Sequence, residues 1–579
     1  MSATVESASD RHLPRARWLV LALTLLNLFL LLGHRGLNEP DEGRYGEVAR
    51  EMIERDDWLV PHFWYAPHLS KPPFAYWATA ASLKTFGFSE WAVRFPVALA
   101  GLSGILAAYC LGHRLAGARA GLWTALILQT TGLYLVMSRM LTTDMFLTQF
   151  VAWAGYFLWR SLDDLLRPRA RLKFLGWHLA AWAAMGLGFL CKGPVALVIP
   201  LAGALAWLVF RRKEPVPWLV LAGSAVLGLM VCLAIAAPWF LLVDRALPGS
   251  LRYMLFGQVV GHALGTVDNR SKNPLFFVAV LAAGFLPWTV LLGWLWRRKH
   301  WRTLAPAQRG GWVFLSAWVG LAFLMFSVGS AKLPAYILPI FPPLAALLAA
   351  RFLAEPAAWP TGLWDLRRAP LFSAGAFLVG LPIGVMIAFR NAGETWLWLQ
   401  LGVGLVALAL LTAVSRFWSV FRCVAAAVAI TLAGYWVLFW KSPTMETSPR
   451  GYQTLRHLGL MLKDIHRPND VLLAWKSLPQ GLPLYAQPVI NPTNRPYLGR
   501  LNPTIHPFEF PGNRERFGRL VITNAADVIP LLEQGPRVLA VGTKGTFDEL
   551  RQGLPQAQVL LLLRSGRWEL VGLSRKGSP

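Results

Sequence analysis

Acidic residues are scarce in this 579-residue chain: 30 Asp and Glu stand against 56 Lys and Arg, and charged residues make up only 15% of it. With 55% apolar or aromatic residues, that usage excludes an ordinary soluble enzyme. Cysteine is scarcer still. Cys110, Cys191, Cys232 and Cys423 sit in or beside apolar runs with no paired spacing, which excludes a disulfide framework or a zinc knuckle and leaves them as small packing residues. Neither a P-loop nor a dinucleotide fingerprint occurs. No small-x-small cleavage site follows the basic and apolar stretch from Arg11 to Leu32, so it is expected to stay as an anchor rather than leave as a signal peptide.

What the chain has in quantity is long apolar sequence. Runs of about 18 to 22 residues recur from Trp18 to Trp440, each long enough to cross a hydrocarbon core of about 30 Å as a helix. The spans read as 18–34, 93–112, 119–136, 143–160, 175–191, 194–210, 218–243, 275–296, 311–329, 334–353, 370–389, 395–414 and 419–440. The expected fold class is therefore a polytopic α-helical membrane protein of about thirteen transmembrane helices.

The formal charge of +26 follows the loops. One set of connections carries Arg11, Arg15 and Arg17; Arg114 and Arg119; Arg160, Arg167, Arg169, Arg171 and Lys173; Arg211, Arg212 and Lys213; Arg297, Arg298, Lys299, Arg302 and Arg309; Arg351, Arg367 and Arg368; and Arg416 and Arg422. The short connections of the other set carry almost one each, namely Arg139, Lys192, Lys332 and Arg390. Basic residues crowd cytoplasmic loops. This alternation predicts a cytoplasmic N-terminus and an odd number of crossings to a C-terminal segment outside. The charge is then a signal of topology and of contact with anionic membrane lipids, and no nucleic-acid partner is expected.

Residues 1–440 read as the membrane domain and 441–579 as a soluble extracytoplasmic α/β domain. In the tail, Val471–Trp475, Leu484–Ala486, Arg519–Thr523 and Val538–Val541 read as strands, and Tyr452–Ile465, Ala526–Gln534 and Phe547–Gly553 as helices. A hairpin is expected around Ser565-Gly566. The tail shows no catalytic cluster, and a supporting role is expected for it.

Two outer connections are long, 35–92 and 244–274, and function concentrates in long loops. In the first, Tyr45, Val48, Ala49, Met52 and Ile53 form the stripe of an amphipathic surface helix. Asp41, after Pro40, stands where an N-cap would, and its spacing does not separate a cap from a catalytic group. Lys71, in Leu69-Ser70-Lys71-Pro72-Pro73, suits a phosphate clamp or snorkelling to headgroups. Arg139 and Asp144, Lys192 and Lys332 lie at the outer ends of other hairpins, and charges near membrane depth tend to be kept for a site. An anionic ligand is expected there. Outside the cytoplasm there is no nucleotide-sugar pool, so an enzyme must draw an activated group from a carrier in the bilayer, such as a polyprenyl phosphate bearing a sugar.

Pro40-Asp41-Glu42-Gly43-Arg44-Tyr45, with Lys71-Pro72-Pro73, Tyr76-Trp77 and Lys332-Leu333-Pro334-Ala335-Tyr336-Ile337-Leu338-Pro339, resembles the aminoarabinose transferase family, lipid-carrier-dependent glycosyltransferases of the GT-C superfamily. The resemblance covers nearly the whole chain. It implies transfer of 4-amino-4-deoxy-L-arabinose or a related sugar from an undecaprenyl-phosphate carrier to lipid A or another lipid or glycan acceptor, with inversion, by an enzyme working as a monomer on the periplasmic side of a bacterial inner membrane. It implies catalytic roles for Asp41 and Asp144 and carrier phosphate or substrate contacts for Lys71, Arg44, Tyr45, Lys192, Lys332, Arg139 and Tyr336. The family's bound divalent metal is implied to be doubtful here, because Ser70 stands where Glu is usual, and Gln258 and Val259 where an acid and a histidine are looked for, with His262 nearby. Other readings are a transferase of the superfamily acting on protein or polysaccharide, a lipid-linked-sugar flippase, and a scaffold. A flippase predicts internal repeats and mid-membrane charges, whereas the ionisable residues here gather at one face; a scaffold gives those charges no purpose.

Overall fold

The computed structural model describes residues 13–260, 272–296, 301, 304, 306–354, 420–441, 454–487, 489–490, 494–499, 510, 512–513, 520–534 and 537–576. In chain order the helices are Leu13–Phe29 (α1), Asp41–Glu54 (α2), Phe74–Phe86 (α3), Glu90–Gln129 (α4), Gly132–Met137 (α5), Thr143–Leu165 (α6), Arg171–Lys192 (α7), Val195–Phe210 (α8) and Trp218–Ala246 (α9), followed by Phe276–Gly284, Pro306–Val328, Phe341–Ala354 and Val420–Lys441. Among the described residues five stretches are long and apolar enough to cross a membrane, in α4, α7 and α9 and at Gln308–Val328 and Pro334–Ala354; α8 and Val428–Trp440 are apolar but shorter. The expected spans 370–389 and 395–414 lie outside the described residues.

Two compact units make up the chain. The first gathers the described residues up to Leu30, from Val97 to Ala354 and from Val420 to Trp436. Its helices pack through small residues that let neighbours approach closely. A Cβ on Gly155 of α6 would stand 2.1 Å from the Trp318 ring, and one on Gly228 of α9 2.1 Å from the Trp182 ring. Gly155→Leu is accordingly expected to cost at least about 1–3 kcal/mol through overpacking, seen as a lower melting temperature of the detergent-solubilised protein; an unchanged melting temperature would contradict this packing. The spans expected at 93–112 and 119–136 meet at a break within α4, where Ala116 leaves helical geometry and Gly117 takes φ 84°, a left-handed conformation that glycine adopts without steric cost. The span expected at 334–353 begins as a 3₁₀ turn, Pro334–Ile340, because Pro339, Pro342 and Pro343 lack the N–H donors of a continuous helix. Pro287 has a like effect at 275–296, where the helix ends at Gly284.

The second unit gathers the described residues from Leu31 to Pro96 and from Val437 onward. Its strands are His62–Phe63 (β1), Ala66–Pro67 (β2), Val471–Trp475 (β3), Tyr497–Gly499 (β4), Val521–Ile522 (β5), Val538–Thr543 (β6), Ala557–Ser565 (β7) and Trp568–Arg575 (β8). The first two form a small hairpin; the others form one sheet in the order β5-β4-β3-β6-β8-β7, parallel from β5 to β6 and antiparallel beyond. Alternation along the central strands fills two cores. Leu473, Trp475, Val538 and Ala540 face the turns around Val528, Leu531 and Leu550, while Leu472, Leu539 and Val541 face Leu458, Leu462 and Leu482, with Tyr65 of the first loop packed among them. One expected strand is corrected: Leu482–Tyr485 is a helical turn, because Pro483 in its first positions presets φ and Ala486 N–H closes on the Leu482 carbonyl at 3.0 Å.

Candidate functional site

In the second unit the first loop is built around α2. Asp41 is not its N-cap. The helix starts at Asp41 itself, Pro40 precedes it, and no side chain caps the end. The Asp41 carboxylate, 36% exposed, instead accepts a hydrogen bond from Arg44 Nη2 at 2.6 Å. It is the accessible acid of this turn, whereas its neighbour Glu42 is fully buried. The Arg44 guanidinium lies 5.3 Å from the Tyr45 ring, which lies 5.5 Å from the Tyr76 ring of α3. Asp41, Arg44, Tyr45 and Tyr76 thus form one polar and aromatic group. Lys71 is half-buried, two residues before the N-cap of α3. Beside it, the Ser70 hydroxyl and His68 Nε2 share a hydrogen bond of 2.8 Å, and His68 packs against Phe63 and Tyr76.

The expected amphipathic helix is buried on its polar side as well. The stripe Tyr45, Val48, Ala49 and Met52 is covered, yet so are Glu42, Glu47, Arg50 and Glu51. The chain solves this by pairing. Arg50 bonds Glu47 at 2.8 and 2.7 Å and the Tyr65 hydroxyl at 3.1 Å, and Glu51 accepts the Tyr65 N–H at 2.8 Å. Burial and the adjacent Glu47 hold the Glu51 carboxyl well above the usual range.

Two acids bordering Asp41 belong to structure. Glu42 faces Arg94, whose N–H donors all find acceptors: both Glu42 oxygens at 2.8 and 2.9 Å, and the carbonyls of Leu32, Arg35 and Gly36 at 3.1, 2.8 and 2.7 Å. Burial alone would raise Glu42, but Arg35 and Arg94 hold its carboxyl at about 2. Glu39 is buried on the N–H groups of Gln480 and Gly481 at 2.9 and 2.8 Å. Burial pushes its carboxyl from an ordinary 4.5 up to about 8, against those two donors and the Arg567 and Arg44 charges.

The two shifts have opposite consequences for stability. The contribution of Glu42 is present above 4.5 and is lost as pH falls through 2, whereas that of Glu39 is present below 4.5 and is lost as pH rises through 8. Melting temperature should therefore decline between pH 5 and 8 in the wild type and decline less steeply in Glu39→Gln; parallel curves would contradict the shift.

In the first unit Asp144 occupies the first turn of α6 and Lys192 the last turn of α7, each favoured by the local helix dipole. The two are ion-paired with little exposure, and the Lys192 Nζ stands 3.8 Å from the centroid of the Tyr336 ring. Asp144, Lys192 and Tyr336 are thereby brought together. Lys332 is buried, donating to the carbonyls of Gly329 and, at 3.2 Å, Lys272. Arg139 is buried as well. Its guanidinium donates to the carbonyls of Asn27 and Leu30 at 2.6 and 2.5 Å, serving the C-terminal end of α1, whose last carbonyls lack helical partners.

The described residues at the positions to which the family resemblance points do not fit a divalent metal. The Ser70 hydroxyl is a neutral oxygen engaged with His68, and the Gln258 amide donates to the Tyr253 hydroxyl at 2.8 Å. Divalent cations of such sites take carboxylate, imidazole or thiolate ligands, and among the described residues no cluster of three or more such groups is placed to hold one. The Val259 side chain and His262 lie outside the described residues.

Sequence reasoning missed Arg94 and Glu39. An arginine at the start of an apolar span was itself a signal, since such a charge requires a buried partner.

Comparison with known proteins places these observations. A family model described as dolichyl-phosphate-mannose-protein mannosyltransferase matches residues 70–242. The chain is 32% identical over 338 residues to an undecaprenyl phosphate-alpha-4-amino-4-deoxy-L-arabinose arabinosyl transferase of Edwardsiella ictaluri, over 58% of this chain and 59% of that one. It is 35% identical over 346 residues to the protein of that description from Aeromonas salmonicida, over 58% and 59%. The matched stretch thus spans about three fifths of the length of these relatives. The crystal structure of ArnT from Cupriavidus metallidurans bound to undecaprenyl phosphate superposes with a TM-score of 0.78 at 25% identity, covering 98% of each chain. The oligosaccharyltransferase of Archaeoglobus fulgidus shares the fold, with a TM-score of 0.50 at 15% identity over 92% of this chain and 70% of that one. The chain is a multi-pass membrane protein with the GT-C fold. Within that class, the resemblance to the aminoarabinose transferases holds across the whole chain in fold and across the matched stretch in sequence.

Proposed function

We propose that the protein is a glycosyltransferase that moves 4-amino-4-deoxy-L-arabinose, or a related sugar, from undecaprenyl phosphate to lipid A or another envelope lipid or glycan. The observation that carries this reading is the superposition over 98% of both chains on a transferase holding undecaprenyl phosphate, in a chain that keeps an accessible Asp41 paired with Arg44. In the transfer step the bond between the anomeric carbon and the carrier phosphate oxygen breaks, its electron pair leaves on the phosphate, and an acceptor oxygen closes on the carbon. Lys71 neutralises the charge building on the departing phosphate. A lipid A phosphate is already anionic, so Asp41 orients the reacting groups and stabilises positive charge at the anomeric carbon; toward a hydroxyl acceptor it takes the proton. Asp144 is assigned a catalytic role beside Asp41, and Arg44, Tyr45, Lys192, Lys332, Arg139 and Tyr336 are assigned to contacts with the carrier phosphate or substrate, the cations stabilising phosphate charge.

The remainder of the reading is topological. The basic loops support a cytoplasmic N-terminus, about thirteen crossings with residues 1–440 as the membrane domain, and residues 441–579 in the periplasm. Mass spectrometry of envelope lipids from cells with and without the protein tests the function. An added mass of a pentosamine or related sugar on a lipid, present only with the protein, supports it. Identical lipid profiles under conditions of confirmed expression overturn it.

A further inference from the structure

We propose that Glu39 and the Gln480-Gly481 turn form a latch that positions the Asp41 carboxylate, so that a segment 441 residues further along the chain sets the geometry of transfer. The inference rests on the reading above of Asp41. Both oxygens of the buried Glu39 carboxyl are used: Oε2 accepts the Gln480 N–H and Oε1 the Gly481 N–H. The meeting point has no room for side chains. A Cβ on Gly43 would stand 1.9 Å from Glu39 Oε1, and one on Gly481 would stand 2.6 Å from the same oxygen and 2.8 Å from the Gly43 Cα. Two further contacts join the same segments. The Leu37 N–H donates to the Tyr485 hydroxyl at 2.7 Å, and a Cβ on Gly36 would fall 2.3 Å from the Thr454 hydroxyl.

Residues 36–43 are thus held to the tail on both sides of Pro40, whereas the Asp41 side chain is held through Arg44. Glu39 is a positioning residue in this scheme, acting through the backbone that carries Asp41. Misplacement of a reacting group by about 1 Å can cost on the order of a hundredfold in rate.

The test compares full-length wild type, Gly481→Ala, Glu39→Gln and Asp470→Asn in lipid nanodiscs, reading amide hydrogen exchange of the peptide covering 36–46 together with transfer kinetics. Gly481→Ala removes no charge and no polar side chain. It is expected to raise exchange in 36–46 and to lower kcat by about tenfold to a hundredfold, with the donor KM within about twofold because Lys71 is untouched; Glu39→Gln is expected to change both readouts in the same directions. Asp470→Asn weakens the pair between the buried Asp470 carboxylate and the partly exposed Arg537 elsewhere in the tail; it is expected to lower the melting temperature while leaving exchange in 36–46 and kcat as in wild type. Unchanged exchange or unchanged kcat in Gly481→Ala, or an equal loss of kcat in Asp470→Asn, would overturn the latch. Exchange is read without any donor, so the latch stands or falls on it even where wild-type transfer, which tests the earlier reading, fails.

Discussion

Asp41→Asn should reduce kcat for sugar transfer by about a thousandfold, within the range on the order of 10² to 10⁴ that loss of a positioned acid–base or charge-stabilising group produces. The donor KM should stay within about twofold, since the amide keeps the shape of the side chain and Lys71 is unaltered. The protein should fold normally. Asp41 is 36% exposed and accepts a hydrogen bond from Arg44, and an ion pair with so exposed a carboxylate is worth about 1 kcal/mol or less. Purified variant and wild type, assayed side by side with melting temperatures in hand, separate these effects. Turnover within threefold of wild type would remove Asp41 from the reaction.

The second large effect concerns folding. Arg94→Met should destabilise the second unit by about 3–5 kcal/mol, because it leaves the Glu42 carboxylate buried beside too little compensating charge. It also removes donors from the carbonyls of Leu32, Arg35 and Gly36. Glu42→Gln should be milder, since the amide oxygen still accepts from Arg94. Thermal unfolding in detergent reads both, with the order wild type, Glu42→Gln, Arg94→Met. A variant Arg94→Met that melts with the wild type would show that the guanidinium is not the anchor of residues 32–42.

How much of this was legible from residues alone depended on the range of the interaction. Apolar runs announce helices because burial in lipid is a local property, and α7, α8 and α9 fall close to their expected bounds. The hairpin around Ser565-Gly566 follows equally local signals. Pairings across the fold leave no such trace. Lys192 and Asp144 are 48 residues apart, and only packing of α6 on α7 brings them together. Arg139 likewise donates to the end of a helix more than 100 residues earlier, a contact that its local sequence does not announce. Leu484–Ala486 has the apolar character of a strand, but Pro483 and burial against the second core make it a helical turn. At Asp41 the sequence left cap and catalyst open, and the start of α2 decides against the cap.

The central claim is that this chain draws a sugar from undecaprenyl phosphate through groups on its first loop. It is tested most directly by reconstituting wild type and Lys71→Ala in liposomes with undecaprenyl-phosphate-linked aminoarabinose and lipid A, and measuring free undecaprenyl phosphate against time. Wild type should release it in step with sugar-modified lipid A, and Lys71→Ala should release it at least about a hundredfold more slowly. No release by folded wild type, or equal release by both proteins, would contradict the account.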